Sequence, residues 1–360
     1  MTIHIKNGFV LNPGSGEFSV KDLFFTTELL ENADECSITQ TIDAKGLFIT
    51  PGLIDTCSQI GLRETGVRWE GNDSYEPHQE DSTKLSVTDG IYPFDPSFKE
   101  AVAAGVTAAH ILSAPNSVVG AKTAIIHMSG STVDDMLIED DSGFSFSMGD
   151  IPKKSFMEAT TMPLTRMGIA HTIRTKLKRL KKTGALDTKA VYIRCHRADD
   201  IETAIRISKE IDVPITLVHA TECGLVEKDV LAYSVNVIGG PSFQAIERLE
   251  LKNLKPTMYK TMQDAGMLFG FATDHPVSSV THLKLEASLA YREGVDAAEA
   301  LLALTTNAAQ VLGIDHLTGS LAPGLLADIV IWDQHPLHLT ANVVHTFIKG
   351  QEVYRKGAVG

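Results

Sequence analysis

Both ends of this chain read as short strands, while the long middle alternates strand and helix. That arrangement restricts the fold more than any other property of the sequence. Over residues 1–50, Ile3-His4-Ile5, Phe9-Val10-Leu11, Thr39–Asp43 and Leu47–Thr50 are separated by Lys6-Asn7-Gly8, Asn12-Pro13-Gly14 and Ala44-Lys45-Gly46. Runs of that size broken by Gly and Asn predict a small antiparallel sheet. Ala327–Trp332 and Val343–Ile348 have the same texture, with a turn at Lys349-Gly350-Gln351 before Val353-Tyr354. The two ends are expected to build one accessory sheet together.

Between them, roughly 51–318, strand signals fall at Val106–Leu112, Ala124–Met128, Ala190–Cys195, Ile215–His219, Val235–Ile238 and Leu268–Thr273. Helical patterns lie between, such as Asp200–Glu210 and the stretch Val280–Leu312 with its break at Gly294. Alternating βα units predict parallel strands flanked by helices. Periodicity does not by itself separate an open sheet from a closed barrel. No G-x-G-x-x-G or P-loop opens a helix after a strand, which removes the main argument for a nucleotide-binding open sheet. A chain of 360 residues accommodates a barrel of about 250 residues with an accessory module.

The net charge of −13 disfavours a phosphate backbone as partner, so no nucleic acid is expected. No apolar run is long enough to cross a bilayer, and residues 1–18 lack the features of a signal peptide. Cys36, Cys57, Cys195 and Cys223 are widely spaced, as in reduced thiols of a cytoplasmic protein.

Three segments, in order, resemble the metal-dependent amidohydrolase superfamily. They are Asp43–Asp55, ending in Pro51-Gly52-Leu53-Ile54-Asp55; Ala104-Gly105-Val106-Thr107; and Gly319–Gly324 followed by Ala327–Val330. Trp69–Asp73, His196–Asp200 and Thr273-Asp274-His275-Pro276 are similar to the branch related to imidazolonepropionase and dihydroorotase. The resemblance implies a (β/α)8 TIM-like barrel over 51–318, with a β-sandwich-like accessory domain from 1–50 and 319–360. It also implies a site at the carboxyl ends of the barrel strands and hydrolysis of non-peptide C–N bonds, of cyclic amide or imidazolone type. In the active family a His-x-His pair, a middle-strand Lys or Glu, two further His and an Asp hold a metal that brings the pKa of bound water to about 7.

Against that pattern, Cys57 and Gln59 stand at the His-x-His positions, and Gln is a poor zinc ligand. The middle-strand position is His127 or Ser145 in two alternative alignments, and neither is Lys. Arg194 replaces the strand-five His, and an arginine does not coordinate a cation. His196 lies two residues on and faces the same way. His219 and Asp274 keep the strand-six and strand-eight positions. Trp69 and Glu70, in the loop after strand one, are candidate ligand contacts.

Two functions compete on this residue set. One is a divergent member without the usual metal, expected to need no cofactor. There Arg194 supplies the lost positive charge beside Asp274, and Asp274, His219, Arg194 and His196 form a pocket for an anionic or hydrogen-bonding small molecule. Cys57, Gln59, His127, Trp69 and Glu70 are its candidate contacts. The alternative is an active mononuclear Zn2+ hydrolase drawing on His219, His196 and Asp274. A homo-oligomer fits either reading.

Overall fold

The computed structural model describes residues 2–34, 37–76, 79, 81–226, 233 and 235–357, so Cys36 lies outside the described residues. Five strands open the chain: β1 (Thr2–Leu11), β2 (Phe18–Phe25), β3 (Leu29–Leu30), β4 (Ile38–Asp43) and β5 (Phe48–Pro51). Eight more follow: β6 (Leu53–Ser58), β7 (Val106–Ile111), β8 (Val119–His127), β9 (Leu137–Ser147), β10 (Ala190–Cys195), β11 (Thr216–His219), β12 (Asn236–Gly239) and β13 (Phe269–Phe271). The chain ends with β14 (Ile329–Trp332), β15 (Val343–Ile348) and β16 (Gln351–Arg355).

These strands form two eight-stranded sheets. The first runs β16-β15-β14-β5-β1-β2-β3, with β4 also on β1, so both ends of the chain contribute to it. The join is the antiparallel pairing of β14 with β5, where buried Trp332 donates its indole N–H to Thr50 Oγ1 at 3.0 Å.

The second sheet runs in chain order from β6 to β13 and is nearly closed. Asp274 N–H donates to the Cys57 carbonyl at 2.8 Å, and Gln59 N–H donates to the His275 carbonyl at 2.9 Å. Its strands are buried on both faces, as β6 and β7 are at every position. Neither strand therefore alternates apolar and polar residues as a half-exposed strand does, and their polar members Asp55, Thr56, Ser58, Thr107 and His110 are buried as well. The flanking helix Ala198–Ile211 places Ile201, Ala204, Ile205, Ser208 and Ile211 in the core at helical spacing, and ends where Asp212 turns left-handed.

Two expectations are corrected. The accessory sheet is mixed and not purely antiparallel: β1 pairs in parallel with β4 and β5, which reach it by crossing over and not through a hairpin. The strands of the barrel sheet are not all parallel: β8 pairs antiparallel with both β7 and β9, while the remaining pairings are parallel. A chain that turns back through a short link can return only antiparallel, and residues 112–118 between β7 and β8 form such a link. The sequence reading also missed most of β9 and the helix Arg166–Lys182. Among the described residues, no helix is long and apolar enough to cross a membrane.

Candidate functional site

The carboxyl ends of β6, β10, β11 and β13 meet around a cavity of about 320 Å3 whose wall includes Gln59, Arg194, His196, His219, Arg248 and Asp274. The backbone is held out of its easy regions here: His219, Ala220 and Asp274 have φ of 74°, 46° and 47°. Non-glycine residues pay for such angles and keep them only where surrounding bonds enforce them. At Asp274 the enforcing contacts include its N–H bond to Cys57 and the neighbouring Asp55 carboxyl, which accepts from Thr273 N–H at 3.0 Å and from the Thr273 hydroxyl.

Arg194 and Asp274, expected as a charge pair, lie 2.9 Å apart from Nη1 to Oδ1. The same Nη1 is 3.1 Å from His219 Nε2, and Nη2 donates to the Ser113 carbonyl at 3.3 Å. Asp274 Oδ1 also accepts from Gln59 Nε2 at 3.1 Å and faces Cys57 Sγ at 3.5 Å. His219 Nδ1 is 2.6 Å from the Gly240 carbonyl. A carbonyl only accepts, so Nδ1 carries the proton and Nε2 presents a lone pair to the guanidinium. His196 stacks on His219 with centroids 4.5 Å apart and planes 7° from parallel. It bonds Thr221 Oγ1 at 2.8 Å through Nδ1 and Arg248 Nη2 at 3.3 Å through Nε2.

Electrostatics follow from this packing. Burial pushes the Asp274 carboxyl up, but the Arg194 guanidinium, with hydrogen bonds from Arg194 and Gln59, holds it below its ordinary value. Burial pushes His219 down to about 4 against the pull of Asp274, and with His219 and Arg248 it pushes His196 well below its ordinary value. The Cys57 thiol is driven well up by burial, which leaves it a poor nucleophile. Burial raises the Asp55 carboxyl to about 7.

These directions give a prediction. At pH 5.5 the His196 and His219 imidazoles stay neutral, as read from their ring 15N shifts; a protonated His219 at that pH contradicts the packing. Because their folded values lie below the unfolded one, their contribution to stability is full above about pH 6.5 and fades as pH falls. Asp55 has the opposite sign: its contribution is full in acid and is lost as pH rises through about 7.

The remaining sequence candidates are placed elsewhere. His127 does not face the cavity. It ends the reversed strand β8 opposite Ala108, at the amino end of β7, and its Nε2 lies 3.2 Å from Asp328 Oδ2. The reversal of β8 carries it to the far end of the barrel. Ser145, beside Tyr192 on β10, sits deeper than Arg194 and bonds Ser113 and the Ala121 carbonyl. Trp69 is 81% exposed in a short 3-10 turn and lines an adjoining cavity of about 520 Å3 that shares Arg63 with the first, and Glu70 lines neither cavity. Conversely, Ser113, Arg248 and Gly240 have direct parts in the site that the sequence did not reveal. They lie in turns without a recognisable motif. Among the described residues, no group of three or more His, Cys, Asp or Glu side chains is arranged to hold a metal ion.

The amidohydrolase family pattern matches residues 99–353. The chain belongs to the amidohydrolase family. Among solved structures, an amidohydrolase from Thermotoga maritima MSB8 is similar with a TM-score of 0.92 and 30% identity, over 98% of this chain and 100% of that one. The amidohydrolase tasK of Hapsidospora irregularis is 26% identical over 361 residues, covering 86% of this chain and 36% of that protein. The imidazolonepropionase of Geobacillus kaustophilus (strain HTA426) is 44% identical over 98 residues, 25% of this chain and 23% of that one. This amidohydrolase chain thus spans only about a third or less of the length of those curated relatives.

Proposed function

We propose that this amidohydrolase-family chain binds a small polar molecule at the barrel mouth without a resident divalent cation, in a site converted from the metal centre of C–N hydrolases. The observation that carries the reading is Arg194 Nη1, bonded at once to Asp274 and His219. These are the two residues at family ligand positions that could still serve a metal. A divalent cation between them would meet a permanently charged guanidinium. The other candidate donors fit no better: Gln59 is a poor zinc ligand, and burial keeps Cys57 a neutral thiol where a ligand must be a thiolate. We take residues 51–318 as the barrel and 1–50 with 319–360 as a β-sandwich-like accessory domain, supported by the sheet that joins both ends of the chain.

The second reading, a mononuclear zinc hydrolase, has one observation in its favour. His196, His219 and Asp274 line the same cavity, and three protein ligands with a water suffice for catalytic zinc. It requires Arg194 and Arg248 to leave the two imidazole Nε2 atoms they now face.

Element analysis of protein purified without chelator separates the two. We expect near-zero metal and no hydrolysis of cyclic amides or imidazolones on adding Zn2+. About one or two bound metals per chain with metal-dependent turnover would overturn the proposal. Arg194→His alone is expected to restore no zinc-dependent turnover, because Cys57 and Gln59 remain unsuited.

A further inference from the structure

Glu286 is fully buried in the helix Leu283–Arg292 that follows β13. All of its hydrogen-bond donors come from outside that helix. Ser242 N–H reaches the two carboxylate oxygens at 3.0 and 2.9 Å, Phe243 N–H reaches Oε1 at 2.9 Å, and the Tyr259 hydroxyl reaches Oε2 at 2.8 Å. The Ser242 hydroxyl donates to Oε2 as well. A carboxylate is costly to bury unless such donors compensate it. Here the compensation is concentrated on the turn that leaves β12.

That turn starts at Gly240, whose carbonyl receives His219 Nδ1. Gly240 has φ of 109°, and a Cβ there would stand 2.6 Å from the Tyr259 hydroxyl and 2.7 Å from the Ala272 carbonyl. Tyr259 therefore touches Glu286 and Gly240 together. Beyond the turn, Gln244, Arg248 and Leu251 line the cavity.

We infer that Glu286 is a positioning residue of this cavity: it clamps the turn at 240–243 so that the Gly240 carbonyl faces His219 and fixes that imidazole as the Nδ1–H tautomer. The His219 lone pair is thereby directed from Nε2 toward Arg194. Glu286 touches no lining group itself and acts through backbone. The inference rests on the cavity being the working site, but its readout needs no bound ligand, so its failure is separable from failure of the ligand-binding proposal.

The test is ring-nitrogen NMR of the full chain labelled with 15N-histidine, in which two-bond correlations distinguish the tautomers. The parent protein is expected to show a protonated Nδ1 and an unprotonated Nε2 at His219. In Glu286→Gln one carboxylate oxygen becomes an amide that faces donors, the turn loosens, and the two nitrogen shifts move toward each other as the tautomers mix. Asp328→Asn, at the far end of the barrel, is the control for general loosening and should leave His219 unchanged. If Glu286→Gln does not fold, Tyr259→Phe and Ser242→Ala, each removing one hydroxyl donor, decide the matter. Both should move His219 in the same direction by a smaller amount. Unchanged His219 nitrogens in the folded clamp variants, or an equal change in Asp328→Asn, would overturn the assignment.

Discussion

Replacing Arg194 with Met is expected to lower the unfolding free energy by about 3–5 kcal/mol, the cost of stranding a buried charge when its partner is removed. Asp274 is the charge left behind: its side chain is 10% exposed, and Arg194 is the one guanidinium or ammonium within ion-pair distance among the described residues. His219, at 3.9 Å, is held neutral by its burial and cannot substitute. Denaturant unfolding of the two proteins checks this. Arg194→Met combined with Asp274→Asn should recover much of the loss, because removing both partners leaves no lone charge; the cycle then reads their coupling directly. The pH dependence has a definite sign. Asp274 has a depressed folded value, so its contribution is full above the unfolded carboxylate value and is lost as pH falls through the folded one. The gap between parent and Arg194→Met should therefore close in acid. A loss below about 1 kcal/mol at neutral pH, typical of an exposed pair, would show that the pair is solvated and sink the charge-replacement argument.

Asp328→Ala should be comparably damaging, by about 3–5 kcal/mol, while sparing the cavity. Its carboxylate accepts from Thr318 Oγ1 at 2.7 Å and Lys349 N–H at 2.9 Å and pairs with His127, and its own carbonyl receives Gly52 N–H. The side chain thus gathers the base of the barrel, the segment before β14 and the turn after β15. Removing it leaves three buried or half-buried polar groups without a partner. His127 suffers most, since its Nδ1 already has none among the described residues. Thr318→Val removes one bond and should cost about 1 kcal/mol. Stability from denaturant curves and the 15N shifts of His219 together test the claim. A large shift at His219 in Asp328→Ala would contradict the separation of the two ends.

What the sequence made legible follows from the physics of its signals. Period-two alternation gave the correct faces for Cys57 and Gln59 at the end of β6 and for Arg194 and His196 at the end of β10, and all but Cys57 line the cavity. Cys57 lies just beneath, against Asp274. Alternation carries no direction, however. Strand β8 reads the same whichever way it runs, so His127 was assigned to the wrong end, and the Pro115-Asn116 turn between β7 and β8 was the one local sign of the reversal. Trp69 and Glu70 lie outside the wall of the Arg194 cavity for a different reason: a loop's path is set by what it packs against, not by its own composition. The same holds for Arg248 and Glu286, whose bonds to His196 and to Ser242 span 52 and 44 residues.

The backward course of β8 also has a use at the bench. In a barrel of uniform direction every strand-to-helix link opens at the mouth, where any added peptide would compete with incoming molecules. Here the link between β8 and β9 opens at the base instead, and residues 130–132 and 134–135 in it are exposed. A tag, surface anchor or fluorescent reporter spliced into that link would point away from the cavity. The barrel itself thus offers a handle for immobilising the protein with its mouth left free.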